Sequence, residues 1–126
     1  MKTAYEIICT LDSITPRSAW NKGVKRYALS ILYDIPLEVR YDSVAELEKV
    51  ALNGAKDWKQ YSWGGCSLCY NEDIARRLCT PSELKATRNG QRRPNAREEW
   101  PDVQARALYQ AWLNIARIAE GKPALF

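Results

Sequence analysis

The chain has 126 residues, enough for one domain with its own core, and its 46% hydrophobic content with five tryptophans excludes a disordered tail. Nineteen basic and fifteen acidic side chains leave a formal charge of +4, and there is no histidine. That absence removes Ser-His-Asp and Cys-His nucleophile pairs, a histidine general base and any His-ligated metal. Catalysis would have to rest on carboxylate, lysine, tyrosine or cysteine.

The chain opens MKTAYEIICTLDSITPR. Acids interrupt its apolar part and no small-residue cleavage site follows, so a signal peptide is not expected. No apolar run approaches the roughly 20 residues of a membrane span. The cytoplasm is the expected compartment, with the four cysteines as reduced thiols.

In chain order, Ala4, Ile7, Ile8 and Leu11 share one helical face, although EIICTL is short enough for a strand. Thr15-Pro16 reads as an N-cap and first-turn proline. A helical stripe then runs through Trp20, Val24, Tyr27, Ala28, Ile31 and Ile35 until Pro36 stops it. Gly23 costs about 1 kcal/mol inside that helix relative to alanine, which suggests that another helix packs closely there. Ser43-x-x-Glu46 is a capping box for a helix with Val44, Leu47, Val50 and Ala51 inward.

Residues 61–70 are irregular, broken by Gly64-Gly65. Asn71 then caps a short helix carrying Ile74 and Leu78, and Thr80-Pro81-Ser82-Glu83 opens the next with a second capping box. Asn89-Gly90 closes it. A last long helix starts near Asn95 or Trp100, with Leu108, Ala111, Ile115 and Ile118 inward, widened by Trp112 and Ala119. Arg106, Gln110, Asn114 and Arg117 face outward, and Gly121 with Pro123 ends the helix. No repeat or linker interrupts the chain. The expected fold is all-α, a compact single domain over residues 1–126 with five to six helices and a short irregular Trp/Gly/Cys segment.

Four features could carry chemistry. Cys66-x-x-Cys69 with Cys79, and Cys9 as a distant fourth ligand, has the first spacing of a zinc site. It lacks the second close pair, so buried thiols are expected and neither metal nor cofactor is called for. Trp58, Tyr61 and Trp63 beside Gly64 and Gly65 fit either a plug for one end of a bundle or a stacking surface for a flat ligand. Glu98, Glu99 and Asp102 suit the positive end of the last helix better than an acid-base site.

The fourth feature is the most informative. Between Glu83 and Glu98 there is no acid, while Lys85, Arg88, Arg92, Arg93 and Arg97 lie in the interval. Together with Arg76 and Arg77 they could supply a phosphate-binding surface, or a solvated turn paired to surface acids.

From Ile74 to Pro94 the chain resembles the second half of a phage-repressor-type helix-turn-helix. A short helix precedes one that ends in Asn89-Gly90, followed by Arg92, Arg93 and Pro94. The resemblance implies that Ser82, Glu83 and Lys85 face bases while Arg88, Arg92 and Arg93 contact phosphates. The turn from Leu78 to Pro81 is one residue shorter than that family's, and Cys79 stands where glycine is usual. The shorter turn rotates one helix against the other.

The segments SAWNKGVKRYA, NGAKDWKQYSWGGCSL, RLCTPSELKATRNGQRRPN and VQARALYQA resemble those of small proteins from gut bacteria and their mobile elements. That family has no established activity, and its one implication is a nucleic-acid context. The chain is therefore expected to be a binding protein and not an enzyme, with DNA or RNA as partner through residues 76–97. Alternatives are a mobile-element interaction module that meets an acidic protein with the same arginines and tryptophans, or a small enzyme with a Trp-Gly-Gly-Cys cleft.

Overall fold

The computed structural model describes residues 2–43, 45–47, 49, 76–82 and 100–126, with side chains of the last stretch from Arg106 onward. The described residues are all-α apart from one isolated antiparallel bridge between Thr3 and Arg40. Three helices carry the architecture: α1 (Ala4–Asp12), α2 (Ala19–Tyr33) and α3 (Trp100–Glu120), each in contact with the other two. Further helical turns occur at residues 45–47 and 49, 76–78, and 81–82.

EIICTL is helical, and Ala4, Ile7, Ile8 and Leu11 are all buried. A helix of nine residues is marginal alone, and its start is closed from two directions. Thr3 caps it by accepting the Glu6 amide on Oγ1 at 3.3 Å. The Ala4 and Tyr5 amides, which have no partner inside the helix, donate to the carbonyls of Val39 and Leu37 at 3.3 and 3.4 Å. No donor of this first turn is left for an outside anion.

α2 starts three residues later than Thr15-Pro16 would place it. Ser18 is the cap, its Oγ accepting the Asn21 amide at 3.1 Å, while Pro16 is buried in the connector. The Lys25 ammonium reaches back from α2 to the Ile14 carbonyl at 2.6 Å and ties that connector down. The connector therefore needs the residues that an earlier helix start would have consumed. At the far end Asp34 caps α2, and Ile35, ahead of Pro36, falls just outside it, where proline disfavours helical backbone. Ile35 still packs against the core from there.

The inward stripe of α3 holds: Leu108, Ala111, Ile115, Ile118 and Ala119 are buried, and Trp112 is partly so. Together with Val24, Tyr27, Ala28, Ile31 and Leu32 of α2 they form one core, to which Leu47, Leu78 and Cys79 also belong. Each fully buried Leu or Ile contributes about 1.5–3 kcal/mol of transfer free energy.

The stripe Arg106-Gln110-Asn114-Arg117 does not face solvent as expected. Asn114 is only 2% exposed. Gln110 Oε1 accepts the Trp20 indole N–H at 2.7 Å, and the Arg106 guanidinium lies over the Trp20 ring at 4.2 Å. Asn114 donates to the Gln110 carbonyl and accepts the Leu125 amide at 2.6 Å; Arg117 donates to the Pro123 carbonyl. Polar groups that look solvent-facing by period are covered by α2's first turn and by residues 121–126. Trp20, read as core, sits half-buried in this polar seam.

Gly121, at φ +88°, makes the turn that allows this. The Lys122 amide donates to the Arg117 carbonyl and the Gly121 amide to that of Ile118, the paired bonds of a Schellman cap. Ala124 and Phe126 then pack on the core.

Candidate nucleic-acid interface

The described part of the expected binding region is residues 76–82, and α2 carries it. Residues 76–78 are helical, Cys79 and Thr80 break the helix, and Pro81 and Ser82 begin the next. Pro81 in the first helical position fits its fixed φ and missing N–H. Leu78 and Cys79 are turned inward, 1% and 5% exposed, whereas Arg76, Pro81 and Ser82 are exposed.

Three contacts hold this segment. Gly23 of α2 lies against the Leu78 backbone, and a Cβ on Gly23 would stand 2.8 Å from the Leu78 carbonyl oxygen. That is the close approach expected for a glycine inside a helix, made by a helix end and not by a helix flank. Three residues on, the Arg26 Nη2 donates to the same carbonyl at 2.8 Å, a charge-assisted bond to an acceptor at the helix end. At the other end of α2, Asp34 accepts from Arg77 at 2.9 Å, with both side chains partly in solvent.

Arg77, expected on phosphate, is thus engaged by Asp34. Arg76 and Ser82 are on the surface. The remaining expected residues, Glu83, Lys85, Arg88, Arg92, Arg93 and Arg97, lie outside the described residues. So do Trp58, Tyr61, Trp63, Gly64 and Gly65. Gly23, Arg26 and Asp34 form the mount. Glycine at mid-helix signalled the first of them, but nothing in the local pattern distinguishes Arg26 or Asp34 from any other surface charge.

Of the cysteines considered for zinc, Cys79 fills core space as a small apolar side chain and Cys9 sits on the exposed side of α1. These two are free thiols, and no cluster of metal-ligating side chains occurs among the described residues; Cys66 and Cys69 lie outside them. The Cys9 thiol one turn away raises the Tyr5 pKa above the usual tyrosine value. Tyr41 is raised too, by burial of its ring; its hydroxyl is buried with no hydrogen-bond partner among the described residues.

No described helix is long and apolar enough to cross a membrane. Compared with family models, curated proteins and solved structures, the chain matches none.

Proposed function

We propose that the protein binds nucleic acid through residues 76–97. The observation that carries this reading is the acid-free interval between Glu83 and Glu98, with five basic side chains, entered from a segment that α2 holds at three points. Fixed entry matters because a basic run on a mounted base loses less conformational freedom on binding than a free tail. Arg76, Arg88, Arg92, Arg93 and Arg97 supply the phosphate contacts, joined by Arg77 where phosphate displaces Asp34. Ser82, Glu83 and Lys85 supply any preference among bases. The break at Cys79-Thr80 between two helical turns supports the helix-turn-helix likeness, in a shorter form.

Fluorescence anisotropy with labelled duplex and single-stranded oligonucleotides, titrated with salt, tests it. Wild type binds with affinity falling steeply in salt, and Arg92→Ala/Arg93→Ala lowers the log–log slope by about two. Absence of binding at low salt by folded protein sinks the reading.

A second reading is a protein-interaction module. It is favoured by Tyr5, Leu37 and Val39, exposed at 59%, 43% and 40% and brought together where residues 37–39 meet the first turn of α1. Salt-insensitive capture of a protein, with no nucleic-acid binding, is its signature.

A further inference from the structure

A cleft of about 240 Å³ opens between the first turn of α2, the middle of α3 and the C-terminal tail. It is smaller than the roughly 300–1,000 Å³ of sites for drug-sized ligands, so it suits a single ring system. Trp20 and Tyr109 give it aromatic surface, and Leu113 and Leu125 give it aliphatic surface. Its side-chain polar groups are the carboxamides of Asn21, Gln110 and Asn114, the Tyr109 hydroxyl and the Trp20 indole N–H, and no charged side chain lines it. The ligand is therefore neutral, flat and able to hydrogen-bond in both directions.

The existing bonds say which of those carboxamide atoms are open. Asn114 uses both ends, on the Gln110 carbonyl and the Leu125 amide. Gln110 uses Oε1 on the Trp20 indole, which leaves its Nε2 as a donor. The Asn21 side chain, with one donor and one acceptor end, makes no hydrogen bond among the described residues. Donor beside acceptor is the pattern by which asparagine and glutamine read the edge of a base. The walls are also set in advance. The Trp20 ring is fixed by its bond to Gln110 and by Arg106 over its face, and the tail by the buried Asn114.

We propose that this cleft binds a single nucleobase, with its face on the aromatic wall and its edge on Asn21 and Gln110. The base comes either from a free nucleoside or from an unpaired position in a strand. In the second case the proposal deepens the nucleic-acid reading. Gly23, which seats the 76–82 segment, is one helical turn from Trp20, so the described entry to the basic interval and one wall of the cleft belong to the same helix.

The test follows the Trp20 indole N–H signal in a 15N correlation spectrum, assigned with Trp20→Phe. The four nucleosides, a short single strand and an abasic strand of equal length are titrated in turn. The expected result is a saturable shift of Trp20 with base-bearing ligands, no shift with the abasic strand, and at least tenfold weaker binding in Asn21→Leu and Tyr109→Leu. Shifts with nucleosides assign the site to a free base; shifts with strands alone assign it to an unpaired base. A Trp20 signal that neither nucleosides nor strands move overturns the cleft, even where anisotropy still records salt-dependent binding. Shifts that persist unchanged in both variants overturn it as well. A nucleoside response without any strand binding keeps the cleft and removes the nucleic-acid reading.

Discussion

α2 holds its two polar neighbours in different ways. Toward α3 it uses side chains: the Trp20 indole on Gln110 and the Arg106 guanidinium on the Trp20 ring. Toward residues 76–82 it adds to the Arg26 and Asp34 side chains the lack of one, because Gly23 lets the Leu78 carbonyl come close enough for Arg26 to cap it. Side-chain contacts can shift by a rotamer and survive. A backbone contact has no such slack. The segment proposed to lead nucleic acid onto the protein is thus placed by the less forgiving of the two attachments.

Three substitutions probe that contrast. The largest effect belongs to Leu78→Ala, which opens a cavity where a 1% exposed side chain stands and costs about 3 kcal/mol of unfolding free energy. A loss under 1 kcal/mol in denaturant unfolding would mean that the segment is loosely seated. Gly23→Ala comes next. Helix propensity alone would stabilise it by about 1 kcal/mol, yet the added methyl falls 2.8 Å from backbone oxygen, and overpacking costs about 1–3 kcal/mol. A net loss of about 1 kcal/mol is expected, together with weaker oligonucleotide binding. A gain in stability would show that the approach is not close. Asp34→Asn has the smallest effect, within about 0.5 kcal/mol. It loses the exposed pair with Arg77 but also removes a negative charge from the C-terminal end of α2, where the helix dipole disfavours it. Its readout is binding: loss of the negative charge beside Arg77 strengthens oligonucleotide affinity, most at low salt.

What could be read in the sequence follows the same division. The apolar stripes of α1, α2 and α3 are legible because hydrophobic period records which face is buried, and Gly23 is legible because mid-helix glycine has a cost that packing must offset. Asn114 was not legible. Its burial rests on hydrogen bonds to the Gln110 carbonyl and the Leu125 amide, and hydropathy assigns a satisfied buried amide to the surface. The start of α2 is ambiguous in the sequence for a similar reason. Thr15-Pro16 and Ser18 are both competent starts, and the choice falls to the tertiary contacts of Pro16 and Lys25. In the candidate interface, Arg77 and Asp34 each look like any other exposed charge until the fold puts them 2.9 Å apart.

The closure of α1's first turn bears on the order in which the molecule assembles. The Ala4 and Tyr5 amides find their acceptors at residues 37 and 39, so the chain between them, including all of α2, is a loop closed by the start of α1. Helix 1 has too few residues to persist by itself, and the contacts that complete it cannot form until α2 has turned the chain back. Two of the four first-turn amides of α1 are therefore satisfied only when the chain has returned through the 36–40 turn. Local propensity proposes α1, but a long-range contact completes it.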